Sequence, residues 1–223
     1  MAKKKLIKKA RILIVDDHPA VRDSLASWIG KQDDMEVCGE AADMIEALSL
    51  VSETHPDLAV VDISLQTGNG IEFIKRIMDR TSKVRVLVWS SHNETLYAER
   101  SLRAGALGYI QKDQAMNRLL EGIRRVLEGK FFLSDWMTDR MLHRAIGEQS
   151  REKIRKPIEK LADRELEVFR LIGEGIKTAE IALRLHLSVH TIETYRERIK
   201  AKLGLKTGSE MARYAMQWVL ENN

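Results

Sequence analysis

The chain has 223 residues, 44% of them hydrophobic, which suits one large or two modest domains and excludes a chain that is disordered throughout. Its 37 basic and 33 acidic residues leave a formal net charge of +4, too small an excess to name a partner. Cys38 is the sole cysteine, which excludes a disulfide scaffold or a cysteine-based zinc site. No apolar run approaches the ~20 residues needed to span a bilayer. The Lys3–Lys9 segment is charged but lacks the apolar stretch of a signal peptide, so a soluble, cytoplasmic protein is expected.

Short apolar runs alternate with helical patterns through the first half. Arg11-Ile12-Leu13-Ile14-Val15 stops at Asp16-Asp17, Leu58-Ala59-Val60-Val61 stops at Asp62, and Val84 to Trp89 stops at Ser90-Ser91. Weaker runs are Glu36 to Gly39 and Gly108 to Gln111. Runs this apolar predict strands covered on both faces. Between them, Val21, Leu25, Trp28 and Ile29 follow helical spacing, as do Ile71, Ile74, Ile77 and Met78, and Leu119, Leu120, Ile123 and Leu127. Strand and helix in alternation predict an α/β domain over 10–127, with a doubly wound, five-stranded parallel sheet. A linker with one helix follows over 128–157, the helix capped by Ser134 and ending near Ile146, and 158–223 reads as all-α.

Residues 10–125 hold 14 basic and 18 acidic groups, whereas 158–223 hold 11 and 10, so the two halves suit different partners. In an open parallel sheet, sites form beyond the carboxyl ends of the strands. Asp16, Asp17 and Asp62 stand at such ends, with Ser90 after the fourth strand and Lys112 after the fifth. Three crowded carboxylates repel one another unless a cation compensates, and hard oxygen donors suit Mg²⁺. With a hydroxyl and a lysine beside them they form a phosphoryl-transfer site, in which Asp62 is the nucleophile and Lys112 offsets charge on the phosphoryl oxygens.

Ile14-Val15-Asp16-Asp17-His18-Pro19, Val61-Asp62, Ser90 and Ala104 to Asp113 resemble, in order and spacing, a CheY-like receiver domain of bacterial two-component systems, which has the flavodoxin-like fold. The resemblance implies phosphotransfer from a sensor histidine kinase to Asp62. It implies Mg²⁺ on Asp17, Asp62 and the backbone carbonyl of Ser64, with Asp16 acting through water. It also implies that Ser90 and Tyr109 are a switch pair, Ser90 turning to the phosphoryl group and Tyr109 moving inward. Where the family often has Pro, this chain has Gln66, which implies a looser loop. His92 stands where the family tunes phosphate lifetime.

From Leu161 the pattern is helical. Leu166, Phe169 and Ile172 or Gly173 form one inward stripe, Thr178 to Leu185 a short second helix, and Ser188 caps a third over Val189 to Leu203. Two helices joined by a tight turn predict a helix-turn-helix. With Ile192, Ile199 and Leu203 inward and Val189 and Tyr195 flanking, the opposite face carries His190, Glu193, Thr194, Glu197, Arg198 and Ala201. Lys200 and Lys202 on the shoulders suit phosphates, and Glu193 and Glu197 suit the amino group of cytosine in the major groove. The last helix, about Thr207 to Leu220, carries Met211, Tyr214, Ala215 and Trp218.

Arg164-Glu165-Leu166-Glu167-Val168, Glu180-Ile181-Ala182, Leu187-Ser188, Thr191-Ile192-Glu193 and Lys202-Leu203-Gly204 resemble the LuxR-type helix-turn-helix. Ala162 stands where that family has a capping Ser or Thr, and Tyr195 where it often has His. The resemblance implies double-stranded DNA as partner and pairing of two chains through the last helix, with Met211, Tyr214, Ala215 and Trp218 as its candidate residues. Both halves together are similar to response regulators of the NarL/FixJ class, transcription factors rather than enzymes, which implies an active homodimer on a dyad DNA site and no membrane partner. Two rivals remain. An aspartate-nucleophile phosphatase of the haloacid dehalogenase type needs a second Asp where Ser64 stands. A DNA-binding regulator with a phosphate-independent receiver scaffold has no use for the intact Asp16, Asp17, Asp62 and Lys112 set.

Overall fold

The computed structural model describes residues 8–65, 69–81, 83–146 and 157–222. The chain divides into two compact units between Ser134 and Asp135. The first runs β1 (Ala10–Val15), α1 (Pro19–Gly30), β2 (Met35–Ala41), α2 (Met44–Thr54), β3 (Leu58–Val61), α3 (Gly70–Arg80), β4 (Arg85–Ser90), α4 (Glu94–Ala104), β5 (Gly108–Gln111) and α5 (Met116–Leu127). All neighbouring strands are parallel, in the order β2-β1-β3-β4-β5. This is the expected doubly wound sheet. The order reverses beside β1, which places a crevice between the ends of β1 and β3.

β-branched residues fill β1 and β3 because both faces of these strands are covered. Ile12, Ile14, Val60 and Leu87 pack with Leu25 and Ile29 of α1 and with Leu119 and Ile123 of α5. The alternate residues Leu13, Val15, Ala59 and Val61 point to the other face and are buried as well. The three expected helical stripes become α1, α3 and α5. Trp28, expected on the inward stripe of α1, instead sits on its rim, 39% exposed, with the Lys31 ammonium 5.4 Å from its ring.

Helix α4 has no clear apolar stripe in the sequence, whereas the buried side of α2, Met44, Ala47, Leu48 and Val51, repeats at helical spacing. The buried side of α4 is Tyr97, Ala98, Ser101 and Ala104, mostly small residues that an apolar pattern does not mark. Both begin at side-chain caps: Asp43 accepts from the N–H groups of Ile45 and Glu46, and Asn93 from that of Thr95.

The second unit holds α6 (Asp135–Ala145), a 3-10 turn (Pro157–Lys160), α7 (Asp163–Gly173), α8 (Thr178–Arg184), α9 (Val189–Leu203) and α10 (Gly208–Asn222). The polar stretch expected as a linker, from Gly147 up to Pro157, lies outside the described residues. Leu166 and Phe169 of α7, Ile181 of α8, Ile192 and Ile199 of α9, and Met211 and Ala215 of α10 are all buried. The Phe169 ring meets Tyr214 and Trp218 at 5.6 and 5.9 Å between centroids. Among the described residues no helix is long and apolar enough to cross a membrane.

Candidate functional site

β1 and β3 are in register with Val15 opposite Val61, so Asp16 and Asp62, the next residue of each strand, leave the sheet side by side. The backbone locks this alignment, since Asp62 N–H donates to the Val15 carbonyl at 2.8 Å. Gly70 is required here. A Cβ at that position would stand 2.1 Å from the Asp62 carbonyl oxygen, so only glycine lets the start of α3 lie against this strand end.

Lys112 reaches between the carboxylates. Its Nζ donates to Asp16 Oδ2 at 2.6 Å and to Asp62 Oδ2 at 2.7 Å. Asp62 Oδ1 accepts from Ser90 Oγ at 2.7 Å and, at 3.4 Å, from the Ser64 N–H. Asp16 Oδ1 accepts from the His18 N–H at 2.9 Å. Asp17 differs: its Oδ1 is buried without an aligned hydrogen bond, although His18 Nδ1 stands 2.7 Å away. Oxygens of Asp16, Asp17 and Asp62 and a ring nitrogen of His18 lie within 4.8 Å of one another. A buried carboxylate oxygen without an aligned hydrogen bond, beside two further carboxylates, fits a small hard cation such as Mg²⁺.

The pocket shifts its own acids and bases. Burial raises the Asp17 carboxyl above its ordinary value, and the charges of Asp62 and Asp16 push the same way against the lowering effect of His18 and Lys112. Burial alone pulls Lys112 down, but the charges and hydrogen bonds of Asp62 and Asp16 outweigh it and hold the ammonium above its ordinary value. Lys112 therefore stays charged across the neutral range.

Tyr109 is wholly inside, and its hydroxyl donates to the His92 carbonyl at 2.8 Å. Burial raises this phenol well above its ordinary value, so it is a donor throughout. Ser90 thus bonds Asp62 while Tyr109 lies inward, bonded to the 91–94 loop. Sequence reasoning missed how this corner is tied together. Ser64 Oγ and His92 Nε2 are 2.7 Å apart, and the His92 ring stacks on Tyr97 at 4.6 Å. No spacing rule joins positions 28 residues apart on different loops. Gln66, the expected departure in this loop, lies outside the described residues.

In the second unit, Ser188 caps α9 as expected, accepting from the Thr191 N–H at 3.0 Å. His190, Glu193, Glu197 and Arg198 are exposed and Thr194 is partly so, on the face opposite buried Ile192 and Ile199. Val189, expected to flank the interior, is the first residue of α9 and is half exposed. Glu193 and Glu197 stand near Arg196 and Lys200, at 3.4 and 2.9 Å. Lys202 is not free on the shoulder: its Nζ lies 2.5 Å from Glu165 Oε2, a buried carboxylate. That same oxygen accepts the Ala162 N–H at 2.7 Å. The N-terminus of α7 therefore keeps the half of the capping box that needs no hydroxyl at Ala162.

Two of the four residues expected to pair chains are buried within the unit. Met211 and Ala215 have no exposed surface, because they are the side of α10 that packs on α7. Trp218 is nearly buried against Phe169, Tyr214 is partly exposed, and Met216 and Leu220 are the exposed apolar groups of this helix.

A parallel sheet with an acidic crevice, followed by a helix-turn-helix, defines a receiver joined to a DNA-binding unit. The profile of the response regulator receiver domain matches residues 12–124, and that of bacterial regulatory proteins of the luxR family matches residues 159–215. The chain is 33% identical over 210 residues to the oxygen regulatory protein NreC of Staphylococcus aureus, covering 93% of this chain and 97% of that protein. A LuxR-family two-component response regulator from Aurantimonas sp. is 32% identical, with a TM-score of 0.58 over 62% of this chain and 99% of that one. RcsB of Salmonella enterica serovar Typhimurium, bound to a promoter in the presence of the phosphomimetic BeF₃⁻, has a TM-score of 0.66 over 93% of this chain and 98% of its own. At 23% identity that likeness is one of fold. The chain belongs to the two-component response regulators of the NarL/FixJ class, transcription regulators with a receiver and a LuxR-type DNA-binding domain. That family is not one of enzymes, which removes the phosphatase rival.

Proposed function

We propose that Asp62 is the phosphoacceptor and that its phosphorylation by a sensor histidine kinase switches DNA binding by the second unit. The observation that carries this reading is the Asp62 carboxylate, buried between the Lys112 ammonium and the Ser90 hydroxyl with Asp16 and Asp17 in reach. A carboxylate oxygen of Asp62 forms the new O–P bond as the donor's N–P bond breaks. The donor imidazole keeps that electron pair and takes up a proton. Lys112 offsets charge on the phosphoryl oxygens, and Ser90 is placed to donate to one of them. Asp17, Asp62 and the Ser64 carbonyl, with Asp16 through water, would hold Mg²⁺, which would supply further positive charge beside the phosphoryl group.

In this reading 10–127 is the receiver, 128–157 the connecting segment and 158–223 the DNA-binding domain, acting in the cytoplasm as a homodimer on a dyad site in double-stranded DNA. His190, Glu193, Thr194, Glu197, Arg198 and Lys200 face the major groove. Lys202, bonded to Glu165, orients the recognition helix α9 instead. Tyr214 and Trp218 border the exposed strip of α10 that would meet the second chain.

The test is incubation with Mg²⁺ and acetyl phosphate, read by intact mass, with Asp62→Asn as control. An adduct on the wild type alone is expected. Labelling that persists in Asp62→Asn moves the site elsewhere, and no adduct on the folded wild type favours the phosphate-independent rival.

A further inference from the structure

The chain does not leave the receiver when α5 ends. After Gly129 it returns to the sheet, where Phe132 N–H donates to the Leu107 carbonyl and Tyr109 N–H donates to the Phe132 carbonyl, both at 3.0 Å. Phe132 thus forms a parallel bridge with Gly108, outside β5, and its side chain joins the core. A Cβ at Gly108 would stand 2.8 Å from the Phe132 carbonyl, so this docking needs glycine. Two residues on, Ser134 donates to Glu94, through Oγ to Oε2 at 2.7 Å and through its N–H to Oε1 at 3.3 Å. Ser134 is the last residue of the first unit, and Asp135 opens α6 in the second.

Glu94 is the first residue of α4 and lies two residues after His92. The His92 carbonyl holds the Tyr109 hydroxyl, and the His92 N–H points to Ser90 Oγ at 3.4 Å. Ser90 in turn donates to Asp62. The exit of the chain is therefore bonded twice to the switch: through the backbone of Tyr109, and through a carboxylate on the loop that Tyr109 and Ser90 hold.

We propose that the Glu94–Ser134 pair is a coupling latch, through which the state of the pocket around Asp62 reaches the segment leading to the DNA-binding unit. The inference rests on the phosphorylation reading and adds its route. With Ser90 and Tyr109 turned to the pocket, the 91–94 loop presents Glu94 to Ser134; with the switch released, Glu94 leaves and the exit loosens. Linkage makes this reciprocal, so a ligand that favours the inward switch tightens the latch and the latch tightens that ligand by the same factor. One charge-assisted bond of this kind is worth roughly a five- to thirtyfold factor.

The test is hydrogen exchange of the full chain, read at the peptide spanning Phe131 to Trp136 while Mg²⁺ and beryllofluoride are titrated in. In the wild type, exchange of that peptide slows about fivefold or more on saturation. Glu94→Gln and Ser134→Ala abolish the slowing and raise the beryllofluoride concentration at half effect, whereas Ser134→Thr, which keeps the hydroxyl, restores both. A merely structural bond would leave that midpoint unmoved. Equal slowing in wild type and Glu94→Gln overturns the latch while leaving the phosphorylation reading intact. A wild type that is neither labelled by acetyl phosphate nor changed in exchange by beryllofluoride overturns both. If Glu94→Gln fails to fold, the Ser134→Ala and Ser134→Thr comparison decides alone.

Discussion

Replacing Lys112 with Met tests whether one ammonium holds the acidic crevice together. The change keeps the length of the side chain and removes the charge that bonds Asp16 and Asp62 at 2.6 and 2.7 Å. Their side chains are 3% and 4% exposed, so water replaces little of what is lost. Breaking a buried pair of this kind costs about 3–5 kcal/mol. The crevice opens to solvent at Asp17 and His18, so water entry trims the cost, and about 2–3 kcal/mol is expected in EDTA at neutral pH. Mg²⁺ at about a hundred times its dissociation constant returns roughly 2.7 kcal/mol, and the variant should gain more from it than the wild type, having no ammonium to compete. The measurement is urea unfolding followed by circular dichroism, with EDTA or with saturating Mg²⁺, taken from the transition that melts the first unit. pH supplies a second readout. The Lys112 pKa is raised in the folded chain, so its stabilisation is complete below the ordinary lysine value of about 10.4 and is lost as pH rises through the folded value. The Met variant should lack this alkaline loss. A variant within about 0.5 kcal/mol of wild type in EDTA would refute the compensation argument.

Asp17→Asn should act in the opposite sense. The Asp17 carboxyl is raised by burial, so its ionisation opposes folding: stability falls as pH climbs from the unfolded value through the folded one. The amide should therefore stabilise the metal-free protein at neutral pH and remove the gain on adding Mg²⁺; a retained Mg²⁺ gain in thermal melting counts against Asp17 as a ligand. Lys200→Ala should reduce the salt slope of binding to duplex DNA by about 0.9, whereas Lys202→Ala, bonded to Glu165, should leave the slope unchanged and lower the stability of the helical unit. Equal slope changes would return Lys202 to the phosphates. Finally, His186 has φ 53 in the turn between α8 and α9, a left-handed conformation that costs a side chain about 1 kcal/mol. His186→Gly should raise the melting temperature of the helical unit by a few degrees, and a fall would show that the His186 side chain makes contacts worth more than the strain.

The sheet, its strand ends and the acidic crevice were legible because buried parallel strands leave continuous apolar runs, and their functional groups follow immediately in the chain. α4 was not legible. Its buried side includes small or polar residues, such as Ser101 and Ala104, that carry no periodic apolar signal. Contacts across sequence were legible only where a fold rule predicts them. Asp16 beside Asp62 follows from strand order, but Ser64 with His92, Glu94 with Ser134 and Glu165 with Lys202 join loops and helix ends. A helical wheel places Lys202 on an outer shoulder without showing that Glu165 reaches it. The wheel likewise groups Met211, Tyr214, Ala215 and Trp218 on one stripe but cannot tell which side α7 covers.

The charges of the second unit bear on how a receiver can control it. Residues 158–223 hold 11 basic and 10 acidic groups, so the unit brings little net attraction to DNA. On α9, Lys200 stands 2.9 Å from Glu197, and Lys202 is bonded to Glu165. Phosphate contacts supply most of the sequence-independent affinity, and a unit with so small a net positive charge should bind weakly as one copy. Coupling two copies makes the second binding event intramolecular and multiplies affinity without any new contact. In the proposed homodimer, weak binding by one unit would therefore give a pairing switch its leverage. A strongly basic unit would occupy DNA whatever the state of the receiver.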